Sequence, residues 1–141
     1  SDGIELRQLV DPRDAAAFVS MSDRAYTSLG LPQGVLTAMS PPPLRTEPPH
    51  LVTVGAFRGD ELVSGAQVAL SHGIAGVYCV GTAETARGQG LAELVTRAVT
   101  NIGFDAGAPL VTLQASPLGD PIYRRMCYRE LYRYATHTRF A

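Results

Sequence analysis

The sequence predicts a mixed α/β (α+β) fold: a mainly antiparallel central sheet of six to seven strands with flanking helices. Residues 50–80 hold three alternating or apolar runs separated by tight-turn residues, which read as consecutive antiparallel strands. Residues 89–106 then switch to helical spacing, and residues 110–115 return to a buried strand. A strand–helix–strand unit of this kind closes as a right-handed crossover with parallel strands. With 141 residues, 45% of them apolar, the chain has material for one core, and it is expected to be a single domain over 1–141.

Ile4 and Leu6 alternate with Glu5 and Arg7, a short edge strand. Asp11-Pro12 supplies an N-cap and a first-turn proline, and Ala15, Phe18, Val19, Ser22, Ala25 and Tyr26 form one stripe of a helix over 12–28. Gly30 stops it, and 35–39 can add another short helix. Residues 40–49 carry five prolines and read as a stiff connecting loop rather than a docking peptide, since no P-x-x-P spacing is present. Strands follow at 50–57 and 61–70, joined by Gly59-Asp60, a Gly-first pair suited to a type II′ turn. The next strand, 73–80, turns at Ser71-His72-Gly73 and is apolar on both faces, as a strand covered on both sides would be. Leu91, Leu94, Val95, Ala98, Val99 and Ile102 define one helix face. Asp120-Pro121 repeats the N-cap and proline signal for a helix through Cys127, and 130–139 alternates as a closing strand.

Composition excludes several classes. The formal net charge is −1, and all 12 basic residues are Arg. A sequence-independent nucleic-acid binder or an anionic-membrane binder would show a basic excess. No apolar run reaches the roughly 18–20 residues of a membrane span. Cys79 and Cys127 have no C-x-x-C or ligand-spaced His, which argues against a disulfide scaffold or a structural metal. No signal-peptide pattern opens the chain, and a cytoplasmic protein is expected. The chain begins at Ser1 and its apolar pattern begins by Ile4, so a missing N-terminal domain of a longer protein stays open, as does a homodimer.

The chemistry concentrates between the 73–80 strand and the following helix, in Arg87-Gly88-Gln89-Gly90-Leu91-Ala92. Gly88 and Gly90 let the backbone approach a ligand closely. The first amides of a helix have no internal partners and sit at the positive end of its dipole, so a phosphate or pyrophosphate is the natural guest. Arg87 can add a charged donor at the rim. A dinucleotide fingerprint does not fit, because Glu93 occupies its last glycine position and antiparallel strands precede the loop. A Walker loop does not fit either, because the chain has no Lys.

Those six residues resemble the R/Q-x-x-G-x-G/A motif of the GNAT-type N-acetyltransferase superfamily. Val80-Gly81-Thr82 is similar to the end of that family's fourth strand. Gln114-Ala115-Ser116, Tyr123 and Met126-Cys127-Tyr128 resemble its next strand, its acid tyrosine and its M-G-F closure. The resemblance spans residues 73–130. It implies a GNAT-like sheet with a splayed parallel strand pair at the cofactor site and acetyl-CoA as cosubstrate. It also implies cofactor contacts from Val80, Gly81, Thr82, Arg87, Gly88, Gln89, Gly90, Leu91, Ala92 and Ser116. Three departures stand out: Ser116 is where many members have Asn, Cys127 replaces the usual Gly, and Tyr128 replaces Phe.

The implied reaction is direct transfer of acetyl to a primary amine of a small molecule or a protein N-terminus. Tyr123 is the catalytic candidate, hydrogen-bonding or protonating the leaving thiolate, and an amide near Val80 or Gly81 would hold the oxyanion. No carboxylate lies at the centre of the fourth strand. His50, His72 and Glu47 are the candidate bases, with water as the alternative. Cys79 is expected to be inert core, and Cys127 would be reactive only through Arg124 and Arg125. Two other functions stay open on sequence: an inactive acyl-CoA-binding lobe of a tandem acetyltransferase, and a general phosphate or nucleotide binder.

Overall fold

A computed structural model describes residues 3–39, 50–137, 139 and 141. One sheet of five strands runs in the order β1-β2-β3-β4-β5. Its strands are β1 (Ile4–Gln8), β2 (Leu51–Arg58), β3 (Glu61–Ser71), β4 (Ile74–Thr82) and β5 (Val111–Leu113). β1 to β4 pair antiparallel in succession, and β4 and β5 pair in parallel. The turns follow the residues that were expected to make them. Gly59 has φ 60° between paired Arg58 and Glu61, while His72 and Gly73 both take left-handed φ between Ser71 and Ile74.

Helices cover both faces. On β3, Gly65 faces the Phe18 ring of α1 (Pro12–Tyr26), and its neighbour Ala66 faces the core beneath α3 (Leu91–Asp105). Adjacent strand residues point to opposite faces, so α1 and α3 lie on opposite sides of the sheet. Leu9, Phe18, Val19, Met21, Phe57 and Leu62 fill the α1 side. Val54, Val68, Val77, Val95, Val99 and Val111 fill the α3 side. Gly103 brings α3 against β4, since a Cβ there would meet Ala75 Cβ at 2.7 Å.

Asp11 caps α1 by accepting from the Arg13 amide at 2.7 Å. Asp23 accepts from the Gly34 amide (2.6 Å), the Leu36 amide (3.0 Å) and Thr37 Oγ1 (3.2 Å). It thereby caps the short helix α2 (Val35–Met39) from across the α1 loop. The proline-rich segment 40–49, including Glu47, lies outside the described residues.

Three expectations are corrected. Among the described residues the sheet has five strands rather than six to seven, and 130–137 forms none. A strand needs a partner ladder, and β5 pairs over only three residues. Glu130 is instead drawn to Arg124 at 2.5 Å and Arg133 at 2.6 Å, and Leu131, Tyr132 and Tyr134 stay exposed. The helix opened by Pro121 is α4 (Asp120–Arg125), and it ends before Cys127. Asp120 does not cap it: its carboxylate pairs with Arg124 at 2.8 Å, and Ser116 Oγ accepts from the Gly119 amide at 3.2 Å. Finally, β4 is not covered on both sides throughout. Tyr78 is half exposed, and its ring lies against Gly76, where a Cβ would meet it at 2.7 Å.

Candidate active site

The site arises where β4 stops behaving as a regular strand. Gly65 pairs with Gly81 and Gln67 with Tyr78, so Ala66 alone faces two residues, Cys79 and Val80. This is a β-bulge, and Cys79 within it takes a left-handed φ of 52°. A β-bulge bends its own strand. On the other side, the parallel pairing with β5 ends at Val77 and Leu113. Beyond that point the strands enclose a cleft of about 100 Å³. Val77, Tyr78, Cys79 and Val80 line it from β4, Leu113 and Gln114 from β5 and its end, and Tyr123 from α4.

Tyr123 is 8% exposed, and its hydroxyl has no hydrogen-bond partner among the described residues. Burial, and secondarily neighbouring Tyr128, push its phenol up to about 12. Its ring rests against Gly119, where a Cβ would lie 2.7 Å from Cε2. Cys79 is half-buried, packs against the α1-side core and lines the cleft, with its thiol pushed up by burial. Tyr26, at the end of α1, is raised by burial first and then by Cys79 and Tyr123, so the three groups share one neighbourhood.

Ten residues separate the bulge from the start of α3. A short 3-10 turn at Glu84–Ala86 leads into Arg87 and the glycines. Gly88 and Gly90 have φ of 74° and 76°, and a Cβ at either would stand in open space. Backbone conformation, not crowding, therefore selects glycine at both. No side chain caps α3, and its first helical bond runs from the Leu94 amide to the Gly90 carbonyl. The amides of Leu91, Ala92 and Glu93 thus have no intrahelical acceptor. The Arg58 guanidinium donates to the Gln89 side-chain carbonyl and ties the loop to β2.

The other expected contacts are distributed differently. Val80 lines the cleft, and Gly81 is buried against Ser22 of α1. Thr82 Oγ1 shares a 2.8 Å bond with Ser64. The Arg87 guanidinium reaches the Ala25 carbonyl (3.3 Å) and Ser28 Oγ (3.4 Å) at the end of α1. Ser116 starts the turn before α4, with its carbonyl accepting from the Asp120 amide at 2.9 Å. His50, His72 and His137 are exposed, and His72 sits at the opposite end of β4 from the bulge. Arg124 and Arg125 face Asp120, Glu130 and Glu93, not Cys127. Sequence reasoning missed Gly119 and the bulge, and placed Gln114 in a strand without assigning it to the site. An apolar Val-Tyr-Cys-Val run carries no signal for a left-handed residue.

No protein-family profile matches the sequence, and no curated protein matches it. Solved structures do match. A predicted acetyltransferase from Clostridium acetobutylicum, solved with acetyl-CoA, is 19% identical, with 96% of each chain covered and a TM-score of 0.76. A GCN5-related N-acetyltransferase from Ralstonia eutropha is 15% identical over 96% of this chain and 99% of its own, with a TM-score of 0.77. Glucosamine-6-phosphate N-acetyltransferase from Arabidopsis thaliana is 11% identical over 96% and 97%, with a TM-score of 0.71. The chain has the GNAT fold.

Proposed function

We propose that this chain is an acetyl-CoA-dependent N-acetyltransferase. One observation carries the reading: a bulge parts β4 from β5 beside a glycine-led helix start with open amides, and a buried phenol faces the gap. The solved structures of the same fold support it, one of them holding acetyl-CoA.

In this reading the amides of 88–92 grip the diphosphate, because helix-start amides and dipole both favour an anion. The carrier supplies an acetyl thioester. The cleft between Val77–Val80 and Leu113–Gln114 receives the acyl end, and an amide near Val80 or Gly81 holds the developing oxyanion. Tyr123 donates a hydrogen bond to the departing sulfur. A phenol near 12 would lose its proton to a thiolate near 8.5 only at a cost of about 5 kcal/mol. Its role is therefore to hold the sulfur rather than to protonate it fully. The acceptor is a primary amine of a small molecule or a peptide N-terminus.

Calorimetric titration with coenzyme A and with ATP, followed by thiol release from acetyl-CoA across an amine panel, tests this reading. Saturable coenzyme A binding and amine-dependent release are expected. Binding without release from any amine would leave an inactive lobe, and equal binding of ATP would leave a general nucleotide site.

A further inference from the structure

Resting on the acetyltransfer reading, we infer that the acceptor is an amine carrying an aromatic ring, and that this ring stacks on Tyr78. The sheet register builds the platform. Gly65 of β3 faces α1, and alternation puts Gln67 and Ala69 on the same side. Thr53 pairs with Gln67, and Gln67 with Tyr78. Leu51 pairs with Ala69, Ala69 with Gly76, and Gly76 with Thr112. Paired residues share a face. Two adjacent rows therefore lie on the α1 side, Thr53–Gln67–Tyr78 and Leu51–Ala69–Gly76–Thr112.

Helix α1 covers the bulge end of this face, through Phe18 at Gly65 and Ser22 at Gly81. Toward the turn between β3 and β4 the face opens, with Tyr78 50% and Ile74 43% exposed. The Tyr78 ring leans along its own strand. A Cβ on Gly76 would lie 2.7 Å from Tyr78 Cε2 and 2.9 Å from its hydroxyl oxygen, so the ring occupies the space that glycine leaves. Leu51 and Ala69 make the neighbouring floor apolar and half-buried. Neutral polar groups stand at its margin: Gln67, which donates to Thr53 Oγ1 at 3.0 Å, and Thr112.

Tyr78 also lines the cleft, beside Cys79, Val80, Leu113 and Gln114. The platform and the cleft are thus continuous. A ring seated on Tyr78 places a nitrogen on a short chain at the cleft mouth, where the acyl end arrives. Small-molecule sites are mostly apolar and aromatic, with a few polar groups that set orientation, and this floor has that make-up. An aromatic pair gains up to about tenfold in affinity beyond the burial of its area, which a saturated chain does not. A polyhydroxylated ring needs hydrogen-bond partners all around its edge, and Leu51 and Ala69 offer none from their side chains.

The test measures thiol release from acetyl-CoA, as kcat/KM, with phenethylamine, 2-cyclohexylethylamine and glucosamine. The readout is the ratio of the phenethylamine value to the cyclohexyl value, compared between variants so that the basicity of the amines cancels. Tyr78→Leu keeps apolar bulk without the ring, and the ratio should fall about tenfold. Tyr78→Phe should hold the ratio. Gly76→Ala, which displaces the ring, should lower it. Coenzyme A titration reports that each variant is folded. An unchanged ratio in Tyr78→Leu, or a larger kcat/KM for glucosamine than for phenethylamine, would overturn the inference and leave the acetyltransfer reading intact. Release of no thiol with any amine, despite coenzyme A binding, would overturn the acetyltransfer reading and this inference with it.

Discussion

The Tyr128 ring stands edge-on to Tyr123, with centroids 6.1 Å apart and planes inclined by 63°. The Tyr128 hydroxyl is anchored 2.7 Å from Thr100 Oγ1 on α3. The candidate catalytic phenol is therefore held by a ring that is itself pinned to the helix whose start forms the candidate diphosphate site. Tyr123→Phe should lower kcat about 100-fold, with coenzyme A affinity nearly unchanged. Tyr128→Phe loses the anchor but keeps the ring, and should lower kcat by a smaller factor. Steady-state kinetics and calorimetry on both variants check the order.

Gly119 sets the position of the same ring from the other side. An alanine Cβ would lie 2.7 Å from Tyr123 Cε2, so the ring must move. A displacement approaching 1 Å at a reacting group costs up to about 100-fold. Gly119→Ala should therefore reduce kcat by about 10- to 100-fold, and a structure of the variant should show Tyr123 shifted.

Cys127 occupies a left-handed position with φ 65° at the end of α4. Its amide bonds the Arg124 carbonyl at 3.1 Å, and the Tyr128 amide bonds the Tyr123 carbonyl at 3.0 Å. These two bonds form a Schellman closure, whose left-handed residue is usually Gly. Cys127→Gly should stabilise the protein by about 0.5–1 kcal/mol, relief of the side-chain clash exceeding the added backbone entropy. Urea unfolding of both proteins measures the difference.

Alkaline pH should destabilise the fold. Folded Tyr123 ionises at about 12, whereas an unfolded tyrosine ionises near 10. Between these values the unfolded chain has released a proton that the folded chain keeps, so unfolding gains with rising pH. Tyr123 contributes its full share below about pH 10 and loses up to about 1.4 kcal/mol per pH unit above it. Burial raises Tyr26 and Tyr128 too, with the same sign. Unfolding midpoints at about pH 9, 10 and 11 should fall more steeply for the native protein than for Tyr123→Phe.

What sequence could reveal was what local pattern determines. The Leu91–Ile102 stripe became α3, the Gly59-Asp60 pair made its turn, and the glycines at 88 and 90 took left-handed φ. The closing strand failed because alternation at 130–139 describes a willing strand without supplying its partner. The bulge escaped notice because its cause is tertiary: β3 must pair with β4 on both sides of Cys79 while α1 packs on Gly81 through Ser22. Asp120 looked like a cap by residue type, but Gly119 holds the cap position, no side chain caps the helix, and the Asp120 carboxylate went to Arg124.

The most direct measurement is a crystal structure with acetyl-CoA bound. The diphosphate oxygens should lie within hydrogen-bond distance of amides in residues 88–92. The thioester should enter between Val77–Val80 and Leu113–Gln114, with its sulfur facing the Tyr123 hydroxyl. A carrier bound elsewhere, with those amides facing only solvent or protein and the cleft empty, would contradict the assignment.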